Sequence, residues 1–108
     1  MSLKKDLYHK KKILIYGLGI SGISCLNYLK GNNTIRCFDD NFAKLKLNKF
    51  KKYFIPKKKI TKSEFDHIII SPGINNLKCS LKNYLKKNKS KISTDLDVFY
   101  SKYPKNFK

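Results

Sequence analysis

The sequence predicts an α/β fold, an open parallel sheet of about five strands with helices on both faces. Three observations carry this reading. Short apolar runs such as Ile13–Tyr16 and Ile68–Ile70 alternate with stretches of helical period, as expected for strands covered on both sides. A glycine-rich turn, Gly17-Leu18-Gly19-Ile20-Ser21-Gly22, joins the first apolar run to the first helical stretch. The overall order reads β-α-β-α-β-β-α-β-α, which favours parallel strands linked by crossover helices. With 108 residues, the chain suits a single domain with one core.

Each element follows from local chemistry. Ile13–Tyr16 is a strand that ends at Gly17. A helix is expected over Ile20–Lys30, with Ile20, Ile23, Leu26 and Asn27 on its inner side and Cys25 as a small buried residue. Gly31 stands where a helix-terminating glycine belongs, and Asn32 and Asn33 complete the turn. Thr34–Phe38 is the second strand. Phe42–Phe50 reads as a short helix burying Phe42, Leu45 and Phe50. Tyr53–Ile55 reads as a short strand closed by Pro56, and Lys57–Lys59 as an exposed loop. Asp66–Ser71 is the clearest strand, because three isoleucines in a row suit burial on both faces. Leu77, Leu81, Tyr84 and Leu85 share one face of a helix over 77–88, and Lys78, Lys82, Lys86 and Lys87 share the other. A further strand is expected at Lys91–Ser93. Thr94-Asp95-Leu96-Asp97 then has the capping-box pattern of a helix start, and that helix stops before Pro104.

The charge balance is lopsided: 25 basic residues against 7 acidic, a formal net charge of +18. Such a field attracts anions. Yet the cations are lysines with a single arginine, Arg36, and readers of bases and phosphates lean on the arginine fork. Lys, Asn, Ile, Phe and Tyr make up more than half the chain, the bias that AT-rich coding produces. Nucleic acid is therefore not the expected partner. Cys25, Cys37 and Cys79 are odd in number and widely spaced, which suits reduced thiols in the cytoplasm better than disulfides or zinc. His9 and His67 lack ligand spacing, and no metal site is expected. No run approaches the ~20 apolar residues of a membrane span. The basic leader is no signal peptide, since glycines break its apolar run and no cleavage site follows.

Three segments are candidates for binding. In the glycine turn, Gly17 permits a sharp bend, Gly19 a close approach of backbone to ligand, and Gly22 close packing of the helix. Free N–H groups of the first helical turn, aided by the helix dipole, suit a diphosphate. Asp39 and Asp40 end the second strand, where nucleotide-binding folds of this Rossmann-like type place an acidic residue. In a dinucleotide site this carboxylate takes ribose hydroxyls; in a uridine site it accepts the N3–H of uracil. Ser71-Pro72-Gly73-Ile74 turns the chain after the strongest strand, at the edge where open α/β sheets bind ligands. No catalytic constellation is present: Cys25 has no histidine partner in its helix, and no second glycine loop follows Gly73.

Together, Lys12–Gly22, the Phe38-Asp39-Asp40 strand end, Ile70–Ile74 and the later Ser93–Phe99 passage resemble the N-terminal domain of the Mur ligase family, most closely its D-glutamate-adding branch. The resemblance covers residues 11–104 of a chain read as one domain, 1–108. It implies binding of the uridine diphosphate end of UDP-N-acetylmuramoyl-L-alanine. Leu18, Gly19, Ile20, Ser21 and Gly22 would surround the diphosphate, Asp39 would take the uracil with Asp40 and Asn41 at its rim, and Ser71, Pro72, Gly73 and Ile74 would close the pocket. Family members often carry a basic residue where Asn41 stands, so this chain departs from the pattern there. In the family, ATP phosphorylates the substrate carboxylate and the amine of D-glutamate displaces the phosphate to form an amide. ATP and magnesium are implied only for the full-length ligase, whose central and C-terminal domains fall outside this chain. No cofactor and no catalysis are expected of these 108 residues alone, and a cytoplasmic monomer without membrane contacts is expected. Two other classes stay open on the residues themselves: an NAD(P)-binding domain of an oxidoreductase or nucleotide sensor, and a basic nucleic-acid-binding protein.

Overall fold

A computed structural model describes residues 8–41, 48–72, 74, 78–94 and 97–98. Four strands form one parallel sheet: β1 (Lys12–Tyr16), β2 (Thr34–Phe38), β3 (His67–Ile70) and β4 (Ile92–Thr94). Their order across the sheet is β2-β1-β3-β4. Ile13 lies between Ile35 and His67, and Tyr16 between Phe38 and Ile70, so all three strands end at the same rim. The chain leaves β1 in one direction to reach β2 and then passes back over β1 to reach β3. The crevice between β1 and β3 is therefore a topological switch point, where such sheets bind ligands.

Strand alternation sorts the core into two layers. Ile13, Ile15, Ile35, Cys37 and Ile69 face helix α1 (Ile20–Leu29), which buries Cys25, Leu26 and Leu29 against them. Leu14, Tyr16, Phe38, Ile68 and Ile70 face the opposite way. There they meet Ile60 of the one-turn helix α2 (Lys57–Ile60), and Tyr84 and Leu85 of α3 (Lys82–Lys87). Helices on both faces are thus observed, as expected. The two layers differ in charge. The ten residues of α1 carry no ionisable charge, whereas α2 and α3 turn Lys57, Lys58, Lys59, Lys82, Lys86 and Lys87 to solvent.

Several expectations need correction. Four strands are present among the described residues, rather than about five. At Tyr53–Ile55 only Phe54 bridges Cys37, with the Ile55 N–H donating to the Cys37 carbonyl, and the pairing stops where the chain turns into a helix at Lys57. The lysine run expected as a loop is α2: Pro56 occupies its N-cap position, and one turn carries Ile60 into the core while the lysines stay exposed. On α1 the inner stripe is Gly22, Cys25, Leu26 and Leu29, a helical period that starts from the glycine. Ile20 is 89% exposed and Asn27 also faces solvent. Gly31 does not adopt a left-handed conformation; Lys30 donates to the Leu26 carbonyl, and the Asn33 amide donates to the Leu29 carbonyl to close the helix.

Residues 48–53 form a 3-10 helix; positions 42–47 of the helix expected over Phe42–Phe50 lie outside the described residues. Leu77, the start of the helix expected over 77–88, also lies outside, and the described helix there spans Lys82–Lys87. After β4, the Thr94 N–H and hydroxyl both donate to the Asp97 carboxylate, half of the expected capping box, and Asp97 and Val98 are helical.

Ile15→Ala should cost about 2–5 kcal/mol, since it empties a fully buried position in the layer that faces α1. Ile20→Ala should stay within about 0.5 kcal/mol, as for surface sites. Urea denaturation of the two variants checks the assignment of the inner stripe.

Candidate functional site

The site grows from the end of β1. Gly17 takes φ 105°, a left-handed conformation in which a side chain is strained. Its N–H donates to the Phe38 carbonyl, which ties the turn to β2. A Cβ on Gly17 would meet the Ser71 Oγ at 2.6 Å. On Gly22 it would lie 1.9 Å from the Gly17 carbonyl oxygen. The close packing expected of Gly22 is thus against the turn itself. Ser71 completes the contact by donating its hydroxyl to that same carbonyl, at 3.2 Å.

Gly19 is the N-cap of α1 and offers no side chain to the helix end. The Ile23 N–H is the first to find an acceptor in the turn, the Gly19 carbonyl. Helix geometry leaves the N–H groups of Ile20, Ser21 and Gly22 without intrahelical acceptors. They sit on the rim, at the positive end of the helix dipole.

Asp39 follows β2 and is 7% exposed. Its Oδ2 accepts the Leu18 N–H at 2.6 Å, and its Oδ1 accepts the Asn41 N–H at 2.8 Å. Short charge-assisted bonds of this kind offset the burial of a carboxylate. Its negative charge is felt next door: burial, with Asp39 adding to it, pushes the Cys37 thiol up to about 11. Cys37 thus stays a thiol at neutral pH.

Asp40 turns the other way. It accepts the Tyr16 hydroxyl at 2.6 Å and both the hydroxyl and the N–H of Ser80. Partial burial works against its charged form, but the bonds from Ser80 and Tyr16 and the charge of Lys57 outweigh it, so its pKa lies below the usual carboxylate value. Burial, together with donation to Asp40, raises the Tyr16 phenol far above its ordinary range.

All the expected site residues that can be described lie at this one rim. Leu18 is buried, Ser21, Ser71 and Ile74 are half-buried, and Ile20, Asp40, Asn41 and Pro72 are exposed. Gly73 lies outside the described residues. The Ile74 N–H donates to the Ser71 carbonyl, closing the third turn. The sequence reading missed Tyr16 and Ser80. A hydroxyl at the end of an otherwise aliphatic strand is a signal that a polar tip needs a partner. Nothing local to Ser80 reveals a partner 40 residues away. Among the described residues, no cluster of three His, Cys, Asp or Glu could hold a metal ion, and no helix is long and apolar enough to cross a membrane.

Comparison of the sequence with known proteins adds a separate observation. Residues 11–93 match the family described as Mur ligase MurD-like, N-terminal domain. The chain belongs to this family. It is 41% identical over 100 residues to the UDP-N-acetylmuramoylalanine--D-glutamate ligase of Buchnera aphidicola subsp. Schizaphis graminum, a match covering 85% of this chain and 22% of that protein. The ligase of the same name from Rickettsia bellii is 32% identical over 101 residues, 89% of this chain and 22% of the relative. The chain therefore spans about a fifth of the length of these curated relatives. No solved structure matches at a significant level.

Gly22→Ala should destabilise the chain by at least about 1–3 kcal/mol, because backbone must move to admit the methyl group. Gly31→Ala has open space and should be neutral or stabilise by up to about 1 kcal/mol. Thermal unfolding of both variants tests this contrast.

The lowered Asp40 pKa also has a sign. It adds stability above the unfolded carboxylate pKa and loses it as pH falls through the folded value. The stability gap between the wild type and Asp40→Asn should therefore be largest near neutrality and close in acid, as read by denaturant midpoints across pH.

Proposed function

We propose that this chain anchors the uridine diphosphate end of UDP-N-acetylmuramoyl-L-alanine, as the first domain of an ATP-dependent, D-glutamate-adding amide ligase of peptidoglycan synthesis. One observation carries the reading: the turns after β1, β2 and β3 meet at one rim of the sheet and bond to each other there. The names of the relatives suggest the substrate class, and the family match supports the domain assignment.

The chemistry of the rim fits a nucleoside diphosphate. The amides of Ile20, Ser21 and Gly22 offer donors to phosphate oxygens, with no acidic side chain in the first turn of α1 to repel them. Asp39 uses two of about four acceptor sites on protein N–H groups, which leaves capacity for the uracil N3–H. Ile20 presents an exposed apolar surface beside the turn. Ser71, Pro72 and Ile74 bound the far side. Asn41 supplies no cation, so residue 41 gives no positive charge to stack on uracil. ATP and magnesium act in the central and C-terminal domains of the ligase, and this chain holds substrate without turning it over. The working molecule is a cytoplasmic monomer.

Calorimetry or ligand-observed NMR with UDP, NADH and a short oligonucleotide tests the reading. UDP should bind weakly and lose affinity as salt rises. Binding of NADH or the oligonucleotide with UDP ignored would overturn it. Asp39→Ala should weaken UDP binding roughly tenfold, the loss of one charged hydrogen bond. Glu64→Ala, which changes the net charge equally from an exposed position, should change it less than about twofold. Equal losses would mean that charge alone is being measured.

A further inference from the structure

Taking this rim as the nucleotide site proposed above, we infer that Tyr16, Asp40 and Ser80 form a clasp across its mouth, and that Asp40 is a positioning residue that does not contact the nucleotide. Successive side chains at a strand end point to opposite faces. Asp39 accordingly reaches Leu18 in the α1 layer, whereas Asp40 reaches Tyr16 in the layer of α2 and α3. The clasp gathers three segments distant in sequence. Tyr16 ends central strand β1, Asp40 lies just beyond outer strand β2, and Ser80 belongs to the chain that follows β3 and leads into α3. One carboxylate thus holds the β2 corner to the segment beyond β3, over the end of the strand between them.

The acceptor count separates the two aspartates. Asp40 receives the Tyr16 hydroxyl, the Ser80 hydroxyl and, at 3.4 Å, the Ser80 N–H. Three of its roughly four acceptor sites are filled by protein, and little remains for a ligand donor. Tyr16 can fix the direction of the carboxylate because its ring is fully buried between β1 and the α3 layer and carries its hydroxyl to one place. Lys57, at the start of α2, adds a favourable charge to the same corner. Asp40 adjoins both Asp39 and Asn41, so a shift of its backbone displaces Asp39, which is assigned to the base, and Asn41 at its rim.

Three single variants test the clasp: Asp40→Ala, Ser80→Ala and Tyr16→Phe, with Ser80→Thr as the conservative control. Each of the first three should weaken UDP binding roughly three- to tenfold, the loss of one or two hydrogen bonds. Asp40→Ala combined with Ser80→Ala should be little worse than Asp40→Ala alone, because both remove the same bonds. Ser80→Thr, which keeps the hydroxyl, should bind as the wild type does. Loss in Asp40→Ala alone, with Ser80→Ala and Tyr16→Phe unchanged, would mean direct contact with the nucleotide and would overturn the clasp. Unchanged affinity in all three would do the same.

Amide hydrogen exchange without ligand separates this idea from the nucleotide reading. Faster exchange at Leu18 and Asn41 in Ser80→Ala supports the clasp even if UDP fails to bind the wild type, in which case only the ligand assignment falls. Unchanged exchange overturns the clasp whatever binds.

Discussion

Between Gly22 on α1 and the carbonyl of Gly17 at the end of β1 there is no room for one additional carbon atom. The helix therefore starts hard against the strand, and everything else at the rim is placed relative to that junction. The Gly17 carbonyl that crowds Gly22 also accepts the Ser71 hydroxyl, so the same atom locates the turn after β3. The next N–H along, that of Leu18, is taken by Asp39, which locates the corner after β2. A displacement of the helix start by the width of a methyl group would break register with both neighbours at once. Close-packed backbone of this kind has few alternative arrangements, which is how a sheet of only four short strands can present a defined edge.

The acidic pair shows how one dipeptide serves two layers. A buried carboxylate is costly unless bonded; this applies to Asp39, whereas Asp40 is exposed and is bonded nonetheless. Asp39 takes backbone N–H groups and fixes the course of two loops. Asp40 takes hydroxyls and links one loop to a helix entrance. The arrangement at Asp39 is not available to a neutral amide of similar size, since both of its oxygens accept from N–H groups. With 7 acids among 108 residues, two of them are spent on the internal order of one corner.

The legibility of the structure in the sequence follows the range of the forces involved. Strands covered on both faces announce themselves by unbroken apolar runs, and Ile68-Ile69-Ile70 was readable for that reason. The glycine turn was readable because local backbone geometry dictates its residues, and the contact of Thr94 with Asp97 because a capping box is complete within four positions. The α2 turn was hidden, since three lysines look like a solvated loop until Ile60 is seen to need a place in the core. On α1, Ile23, Cys25 and Leu26 were placed inward correctly, but Ile20 and Asn27 were not, because Gly22 contributes no apolar surface and yet sets the phase of the stripe. At the site, residue types and their common rim could be anticipated. The bonds of Asp39 to Leu18 and of Asp40 to Tyr16 and Ser80 could not, because they join positions 21 to 40 residues apart and depend on the folded sheet.

The unequal charging of the two helical layers has a consequence for how copies of this chain meet in solution. On one side α1 is uncharged; on the other, α2 and α3 carry lysines alone. At low ionic strength, where fields reach well past ~10 Å, two molecules approaching with their lysine sides repel each other before contact. Approach through the α1 sides meets less repulsion, because the ten residues of that helix add no charge of their own. Dilute buffer therefore filters encounters by orientation, and added salt removes the filter, so crowding at high ionic strength samples pairings that the charge otherwise forbids.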